Sequence, residues 1–519
     1  MASFTSTKIE LNEQESKLRH LLLDVARYID ESKEIKDALE LRFAGGWVRD
    51  KILGIPSHDI DVAINAMTGY PFSLKLKEYL EIPGNLEKYA ITSNDVGNLH
   101  KIAANPEKSK HLETVTVKMI DLDVDLVNLR KETYSEDSRN PQMEFGTAEE
   151  DALRRDATIN ALFYNLHTGE VEDFTGGLLD MESQLIRTPL EPHQTFMDDP
   201  LRVLRLIRFA SRLNFRIDAT SELSMSEPSV LEALRMKISR ERVGTELEKM
   251  LKGKGPRDAL QFIDRLGLYS TIFTDPHLKS IPAPDSSRLK LSYECLENLR
   301  FNETPGSIYQ SLVRSDDARY FAWILAALTP WSQIPGEVPI KPGGRATIPY
   351  AAMVAKEGIK ANNKICSVVT GALRNYVQIT ELKNAINNED AWISERDTIG
   401  MQIRRWDFLG GHWRLQALFA LLVEASNSTE QEGYGKVFAE WQRFVEHLEN
   451  LEVMDAPSIR PIIDGKQLTK ELGVRPGIWM APALDVCMEW QLRNPGETDF
   501  AGAVEEVRKR KDELKIPLE

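Results

Sequence analysis

The chain has 519 residues, 42% hydrophobic and 28% charged, with a formal net charge of −15. That length allows two to four domains with sizeable cores, and no apolar run approaches the roughly eighteen residues of a membrane span. The acidic balance excludes a protein that coats nucleic acid, and the three cysteines, Cys295, Cys366 and Cys487, lie far apart without metal-ligand spacing, as reduced intracellular thiols do.

The first seventeen residues, MASFTSTKIELNEQESK, lack an apolar signal core and carry Glu10, Glu13 and Glu15, where a mitochondrial presequence would be acid-poor. Residues 1 to 40 read as one amphipathic helix, with Leu18, Leu21, Leu22 and Val25 at helical spacing. The stretch that organises the chain follows, FAGGWVRDKILGIPSHDID from Phe43 to Asp61. A short apolar run stops at Gly45 and Gly46, which end a strand and let backbone approach closely. Trp47 to Leu53 reads as about two helical turns, closed by Gly54 and Pro56. From His58 to Ile64, Asp59, Asp61 and Ala63 share one parity, and Ile60, Val62 and Ile64 the other. A strand therefore sets both carboxylates on one face, about 7 Å apart by its rise per residue. Such oxygen ligands suit Mg²⁺, which takes one or two carboxylates plus substrate phosphates, and the helix after the glycines can turn backbone N–H groups toward phosphate.

Phe72 to Leu80 is expected to be a helix ended by Pro83 and Gly84, and residues 91 to 110 a polar connection. Thr114 to Arg130 alternates apolar residues with Asp121, Asp123 and Asp125, as a long strand or a hairpin would; Asp121 and Asp123 read as a turn or a solvated face. Lys131 to Ala148 is polar, contains Pro141 and Gly146, has no apolar period and reads as a long loop. Asp151 to Leu166 reads as a helix with Leu153, Ile159 and Leu162 toward the core, and Glu170 to Pro189 as strand, glycine turn, short helix and strand. Asp198 and Asp199 open a helix with Pro200 in its first turn, and Arg202, three residues after Asp199, shares its face. From Arg202 to Arg216 there are five arginines and no acid, a modest basic stripe that suits weak, releasable RNA binding. Ile238 to Leu251 is a packing helix. The remainder is helical by pattern, with a Pro/Gly-rich surface loop from Thr329 to Gly344 and a boundary near Asn450 to Arg460.

The order of these stretches resembles the tRNA nucleotidyltransferases, the CCA-adding enzymes, within the DNA polymerase beta-type nucleotidyltransferase superfamily. GGWVRDKILG and SHDIDVAI carry the first likeness, and VDLVNLR, RRD, EDFTGG, DDPLR and ISRERVG follow in the family's order over about half the chain. Asp464 to Trp490 resembles the tail of eukaryotic, especially fungal, members. The resemblance implies an α+β protein, with a small mixed-sheet catalytic head (1–195), a helical neck (196–275), a helical body (276–450) and a helical tail that touches tRNA (451–519). It implies catalysis by Asp59, Asp61 and Asp125, with Asp59 and Asp61 holding two Mg²⁺ ions. Nucleotide binding falls to Gly45, Gly46, Arg49, Arg154, Arg155, Asp156, Asp199, Arg202 and Arg205. Arg154 and Arg155 would clamp the triphosphate, and Asp156 would accept a hydrogen bond from the ribose 2′-OH.

In the family DDPLR serves as a protein template. Arg202 would donate to N3 of cytosine or N1 of adenine, and Asp199 would accept from the amino group; uracil and guanine present the opposite polarity. The resemblance implies that Arg139, in the polar loop, would take part in the final A addition, and that Asp173, Gly177 and Asp180 would make a structural hinge. The implied reaction adds C, C and A to a tRNA 3′ end from CTP and ATP by a monomer that needs no membrane. Its implied location is the cytoplasm and nucleus, with a mitochondrial pool left open. The rival readings are a partial CC-adding or A-adding enzyme, a poly(A) polymerase, and a non-catalytic tRNA-binding protein that kept the fold.

Overall fold

Asn12 starts the first helix, α1 (Glu13–Ser32), with a reciprocal cap: its side chain accepts from the Glu15 N–H at 2.9 Å, and Glu15 accepts from the Asn12 N–H at 2.7 Å. In this computed structural model the described residues are 8–92, 115–135, 138–275, 281–341, 343–408, 410–428 and 433–517, and of 132–135 and 138–143 the backbone alone. The expected polar connection at 91–110 lies, but for its first two residues, outside them. The chain divides into two compact units, Met1–Glu246 and Leu247–Glu519. The break falls inside the expected neck, and the expected body and tail share the second unit.

The first unit is built on a mixed six-stranded sheet. Its strands are β1 (Leu41–Ala44), β2 (Asp59–Ile64), β3 (Val115–Met119), β4 (Leu122–Asn128), β7 (Phe163–Asn165) and β8 (Val171–Glu172), in the order β3-β4-β2-β1-β7-β8. The pair β2/β4 is parallel and the other pairs are antiparallel. Helix α2 (Gly46–Ile52) joins β1 to β2, as expected; α3 (Gly69–Glu81) fills the place expected for Phe72 to Leu80, and α4 (Asn85–Tyr89) follows. The Thr114 to Arg130 stretch is a hairpin rather than one strand. Ile120 and Asp121 form its turn with φ 55° and 59°, a tight turn whose twist suits a hairpin.

Two expectations fail here. Lys131 to Ala148 is not an irregular loop over most of its length: β5 (Arg130–Ser135) and β6 (Ser138–Phe145) pair antiparallel, Lys131 opposite Glu144. A two-stranded ribbon has only edge strands, so it tolerates Pro141 and needs no apolar face. Gly146 closes its base, where a Cβ would stand 2.7 Å from the Lys131 nitrogen. The Asp151 to Leu166 helix also fails. A short helix, α5 (Ala148–Leu153), ends before Arg154, a 3₁₀ turn covers Thr158–Asn160, and β7 follows. Every residue from Asp156 to Leu166 is buried, so apolar side chains at helical spacing did not mark one face.

Glu170 to Pro189 folds as expected, through β8, α6 (Gly177–Glu182) and β9 (Leu185–Ile186). Then come α7 (Pro192–Asp198), α8 (Leu201–Leu213), β10 (Arg216–Ile217), α9 (Ala219–Met225), α10 (Pro228–Lys237) and α11 (Arg240–Leu251).

The second unit is helical. The helix Asp316–Leu328, whose apolar run begins at Tyr320, is buried at every position from there onward and packs with Leu289–Phe301 and Trp413–Asn427. Among the described residues no helix is long and apolar enough to cross a membrane. The expected surface loop at Thr329 to Gly344 is partly ordered: Trp331 is buried and donates to the Phe273 carbonyl at 3.1 Å, and Glu337–Pro339 pairs with Thr347–Pro349. The segment expected as a boundary near 450 to 460 is pinned by hydrogen bonds, Arg414 to the Met454 carbonyl at 2.7 Å and Arg404 to the Ile459 carbonyl at 2.9 Å.

Candidate active site

The parallel register of β2 and β4 sets Asp59 opposite Asp123 and Asp61 opposite Asp125. Alternation then puts all four carboxylates on one face while Ile60, Val62, Val124 and Leu126 fill the core behind. Asp59 and Asp123 are exposed; Asp61 and Asp125 are half-buried. Burial pushes the Asp61 carboxyl up to about 6; Arg155 opposes the shift, and Asp125 and Asp59 add to it. Asp59 is raised by burial, then by Asp125 and Asp123. Asp125 Oδ1 is buried, with no hydrogen-bond partner among the described residues. Among the described residues no three acidic, histidine or cysteine side chains converge closely enough to hold an ion alone. An orphaned buried carboxylate oxygen beside crowded acids fits a divalent cation that takes only part of its shell from protein.

The glycine turn stands beside these acids. Gly45 has φ +70°, and a Cβ there would lie 2.8 Å from Arg155 Nη1 and 3.7 Å from Asp61 Oδ2, so only glycine fits. Arg155 is fixed behind the turn: Nε and Nη2 donate to Asp151 Oδ2 at 3.1 and 2.9 Å, and Nη1 donates to the Asn160 carbonyl at 3.0 Å. Arg154 donates to the other oxygen of Asp151 and to the Arg130 carbonyl. Burial raises Asp151, but Arg155 and Arg154 outweigh it and hold the carboxyl below its usual range. Arg49 lies beside the turn, its Nη2 3.6 Å from where a Cβ on Gly46 would stand. It is buried, bonded to Asp50 and to Asn160 Oδ1, and lies over Phe209.

Asp156 is buried between Arg205, which donates to Oδ2, and Asn160 Nδ2, which donates to Oδ1 at 3.2 Å. Burial would raise its carboxyl, but Arg205, with Asn160 and Arg202 beside it, outweighs burial and depresses it to about 2. At the next element the helix boundary differs from expectation: Asp198 ends α7, and Pro200 precedes α8. Asp199 sits in the kink, where Oδ1 accepts from the Leu201 N–H at 3.2 Å and Oδ2 pairs with Arg242 at 3.6 Å. Arg202 is buried and donates to the Arg154 carbonyl at 2.7 Å.

The basic stripe is largely bound into the fold. Arg205 meets Asp156, Arg208 meets Glu246 at 2.7 Å, and Arg212 meets Asp50 at 3.1 Å, so the amphipathic α8 turns its charges to acids of its own unit. Asp173 caps α6, accepting from the Gly177 N–H at 3.0 Å and the Leu178 N–H at 2.9 Å. Asp180 accepts from Thr158 Oγ1 at 2.6 Å, and a Cβ on Gly177 would lie 2.3 Å from the Thr158 carbonyl. The backbone of Arg139 lies on β6; its side chain lies outside the described residues. Asp151, Asn160, Asp123 and Arg242 were not singled out as functional, although RRD with an acid three residues before it hinted at Asp151.

Residues 41–187 match the family model described as poly A polymerase head domain, and residues 214–281 the one described as probable RNA and SrmB-binding site of polymerase A. The protein called nucleotidyltransferase lcsQ, of Purpureocillium lilacinum, is 50% identical over 98% of this chain and 94% of its own. The mitochondrial CCA tRNA nucleotidyltransferase of Saccharomyces cerevisiae is 38% identical over 95% of this chain and 92% of its own. The chain belongs to the tRNA nucleotidyltransferase family. Solved CCA-adding enzymes share the fold of this family member at 18% identity. An apo form gives a TM-score of 0.64, covering 96% of each chain. The Thermotoga maritima enzyme, complexed with tRNA_CCA, gives 0.59, also covering 96% of each. The mixed-sheet head and helical remainder expected of the family are therefore present in this tRNA nucleotidyltransferase, with the corrections given above.

Proposed function

We propose that this chain adds C, C and A in turn to the 3′ end of tRNA, using CTP and ATP, without a nucleic acid template and with release of pyrophosphate. The register that sets Asp59 and Asp61 beside Asp125, next to the glycine turn, carries the reading. Asp59 and Asp61 would hold Mg²⁺, with Asp125 beside them as the third carboxylate. Two bound ions would supply activation of the tRNA 3′-OH and neutralisation of the leaving pyrophosphate.

The chain's own groups do the rest. Gly45 and Gly46 admit the triphosphate close to backbone, and Arg154 and Arg155, pre-ordered on Asp151, clamp it. Asp156 stays ionised and acceptor-only, with lone pairs beyond those used by Arg205 and Asn160, and receives the ribose 2′-OH. Asp199 and Arg202 read the Watson–Crick edge of C and A, each steadied from behind, by Arg242 and by the Arg154 carbonyl. Arg49 and Arg205 act one step back, holding Asn160 and Asp156. In functional terms the head, 1–195, does the chemistry. The neck, 196–275, selects the base, and 276–450 and 451–519 support and dock the tRNA.

Incubating the protein with tRNA lacking its 3′ end, with each NTP in turn and together, and sequencing the ends tests this. A complete CCA end is expected. An end that stops at CC, or accepts only the final A, would replace the proposal with a partial activity; a homopolymer tail would replace it with poly(A) synthesis. A mitochondrial pool beside the cytoplasmic and nuclear ones is expected from the mitochondrial relative, and imaging a tagged chain checks it. Light scattering should show a monomer.

A further inference from the structure

Asn160 joins three residues of the site, Arg49, Arg155 and Asp156. It is 7% exposed, on the 3₁₀ turn Thr158–Asn160. Its Oδ1 accepts from Arg49 of α2, the helix that begins at the glycine turn. Its Nδ2 donates to Asp156 Oδ1 at 3.2 Å, and its backbone carbonyl accepts from Arg155 Nη1 at 3.0 Å. The turn itself is fixed from outside, by the Thr158 hydroxyl on Asp180 and the Thr158 N–H on the Arg187 carbonyl at 2.9 Å.

The chemistry of the neighbours leaves little choice of residue. Arg49 can only donate, and an ionised Asp156 can only accept. The side chain between them must accept on one side and donate on the other, which a primary amide does and a carboxylate does not. We propose that Asn160 is a positioning residue that locks Asp156 to the phosphate-clamping Arg155 and to the glycine-turn helix, so that ribose and triphosphate are recognised as one rigid unit. The proposal rests on the reading of Asp156 as acceptor of the 2′-OH. Asn160 acts through Asp156 and Arg155 and does not itself touch the nucleotide. Losing the lock lets the acceptor swing, which weakens NTP binding and blurs NTP against dNTP while leaving the metal-binding carboxylates in place.

The test compares CTP with dCTP on tRNA lacking its 3′ end, for the parent, Asp156→Ala, Asn160→Ser and Asn160→Asp, with a thermal melt of each. Asn160→Ser keeps one hydroxyl that can serve one neighbour but not both. Asn160→Asp keeps the bond to Arg49 and faces Asp156 with a second negative charge. Asp156→Ala should lower the CTP to dCTP ratio of kcat/KM at least about ten-fold, and Asn160→Ser about three- to ten-fold, the size of one lost buried hydrogen bond. The Asn160→Ser loss should lie in KM rather than kcat, and Asn160→Asp should lower the ratio more than Asn160→Ser. A ratio unmoved by Asp156→Ala removes the sugar-acceptor reading on which the proposal stands. A ratio that falls in Asp156→Ala but holds in both Asn160 variants, whatever their melting temperatures, overturns the role of Asn160 alone.

Discussion

The carboxylate face of β2 and β4 and the arginine-rich region from Asp151 to Arg212 lie in one unit and treat charge in opposite ways. On the sheet, Asp59, Asp61, Asp123 and Asp125 crowd together, Asp61 and Asp59 are pushed up, and Asp125 Oδ1 has no hydrogen-bond partner among the described residues. Around Asp151 and Asp156, each acid is matched by guanidinium, Asp151 by Arg154 and Arg155, Asp156 by Arg205, and both are held low. Unpaired buried charge is costly, and a fold keeps it where a ligand completes it. Paired charge costs little and fixes geometry. On the proposed reading the first region would take the divalent cation, and the second would hold the nucleotide in a preset geometry.

The largest effect should come from the first region. Asp59→Ala or Asp61→Ala is expected to abolish nucleotide transfer while leaving tRNA binding nearly intact, because both carboxylates stand on the one strand face proposed to hold the metal. Transfer assays beside a tRNA binding titration check this, and normal turnover by a folded Asp61→Ala protein would erase the distinction between the two regions.

The second region should respond by losing selectivity rather than chemistry. Arg202→Ala removes a partner from the base edge at a cost of about 1–3 kcal/mol, roughly one to two orders of magnitude in kcat/KM for CTP and ATP. UTP and GTP should suffer much less, so misincorporation should rise when all four NTPs are supplied. Arg202 also donates to the Arg154 carbonyl, so the variant should melt earlier under either reading. The discrimination ratio decides: an early-melting variant with full selectivity for C and A would make Arg202 a strut.

These regions differed in how well the sequence exposed them. The carboxylates of β2 were legible because a half-buried strand alternates, and period two assigns faces from residue types alone. The partnership of β2 with β4 was not, since parallel pairing across about sixty residues leaves no local trace; only the resemblance singled out Asp125. From Asp156 to Leu166 every position is buried, periodicity vanishes, and the helix read there is a turn and a strand. The hairpin of β5 and β6 escaped for the converse reason. A polar ribbon held by its backbone ladder has no apolar face to alternate. The arginines of α8 were visible as a stripe that suits RNA, but their partners Asp50, Asp156 and Glu246 lie far away in sequence, so the ion pairs that hold Arg205, Arg208 and Arg212 could not be read there.

A smaller and narrower effect is expected at the β5/β6 hairpin. Shortening it, or Arg139→Ala, should spare both C additions and slow the final A addition by about ten-fold, the size of one lost charge-assisted contact. Single-turnover assays on tRNA ending before C, after C and after CC separate the steps. Equal slowing at all three would class the hairpin with the general binding groups.

The smallest effect is on stability, and it sharpens the contrast at a single residue. Asp61→Asn keeps the size of the side chain and removes the charge that burial, Asp125 and Asp59 disfavour and Arg155 only partly favours. The folded carboxyl titrates at about 6, above its ordinary 3.8. A group raised in this way contributes stability that is complete below its unfolded pKa and lost as pH rises through its folded one. In EDTA at pH 8 the Asn variant should therefore outlast the parent by about 1–3 kcal/mol, a few degrees in the melt of the first unit. As pH falls from 6 the gap should narrow, and it should close below about 3.8, where Asp61 is protonated in both the folded and the unfolded parent. Adding Mg²⁺ at pH 8 should raise the parent and barely move the variant. Asp156 gives the opposite control, since its depressed carboxyl adds stability that disappears only as pH falls toward about 2. An Asn variant that melts earlier than the parent at pH 8 in EDTA would show that Arg155 outweighs burial at Asp61. The carboxylate face would then be a satisfied ion-pair site like its neighbour.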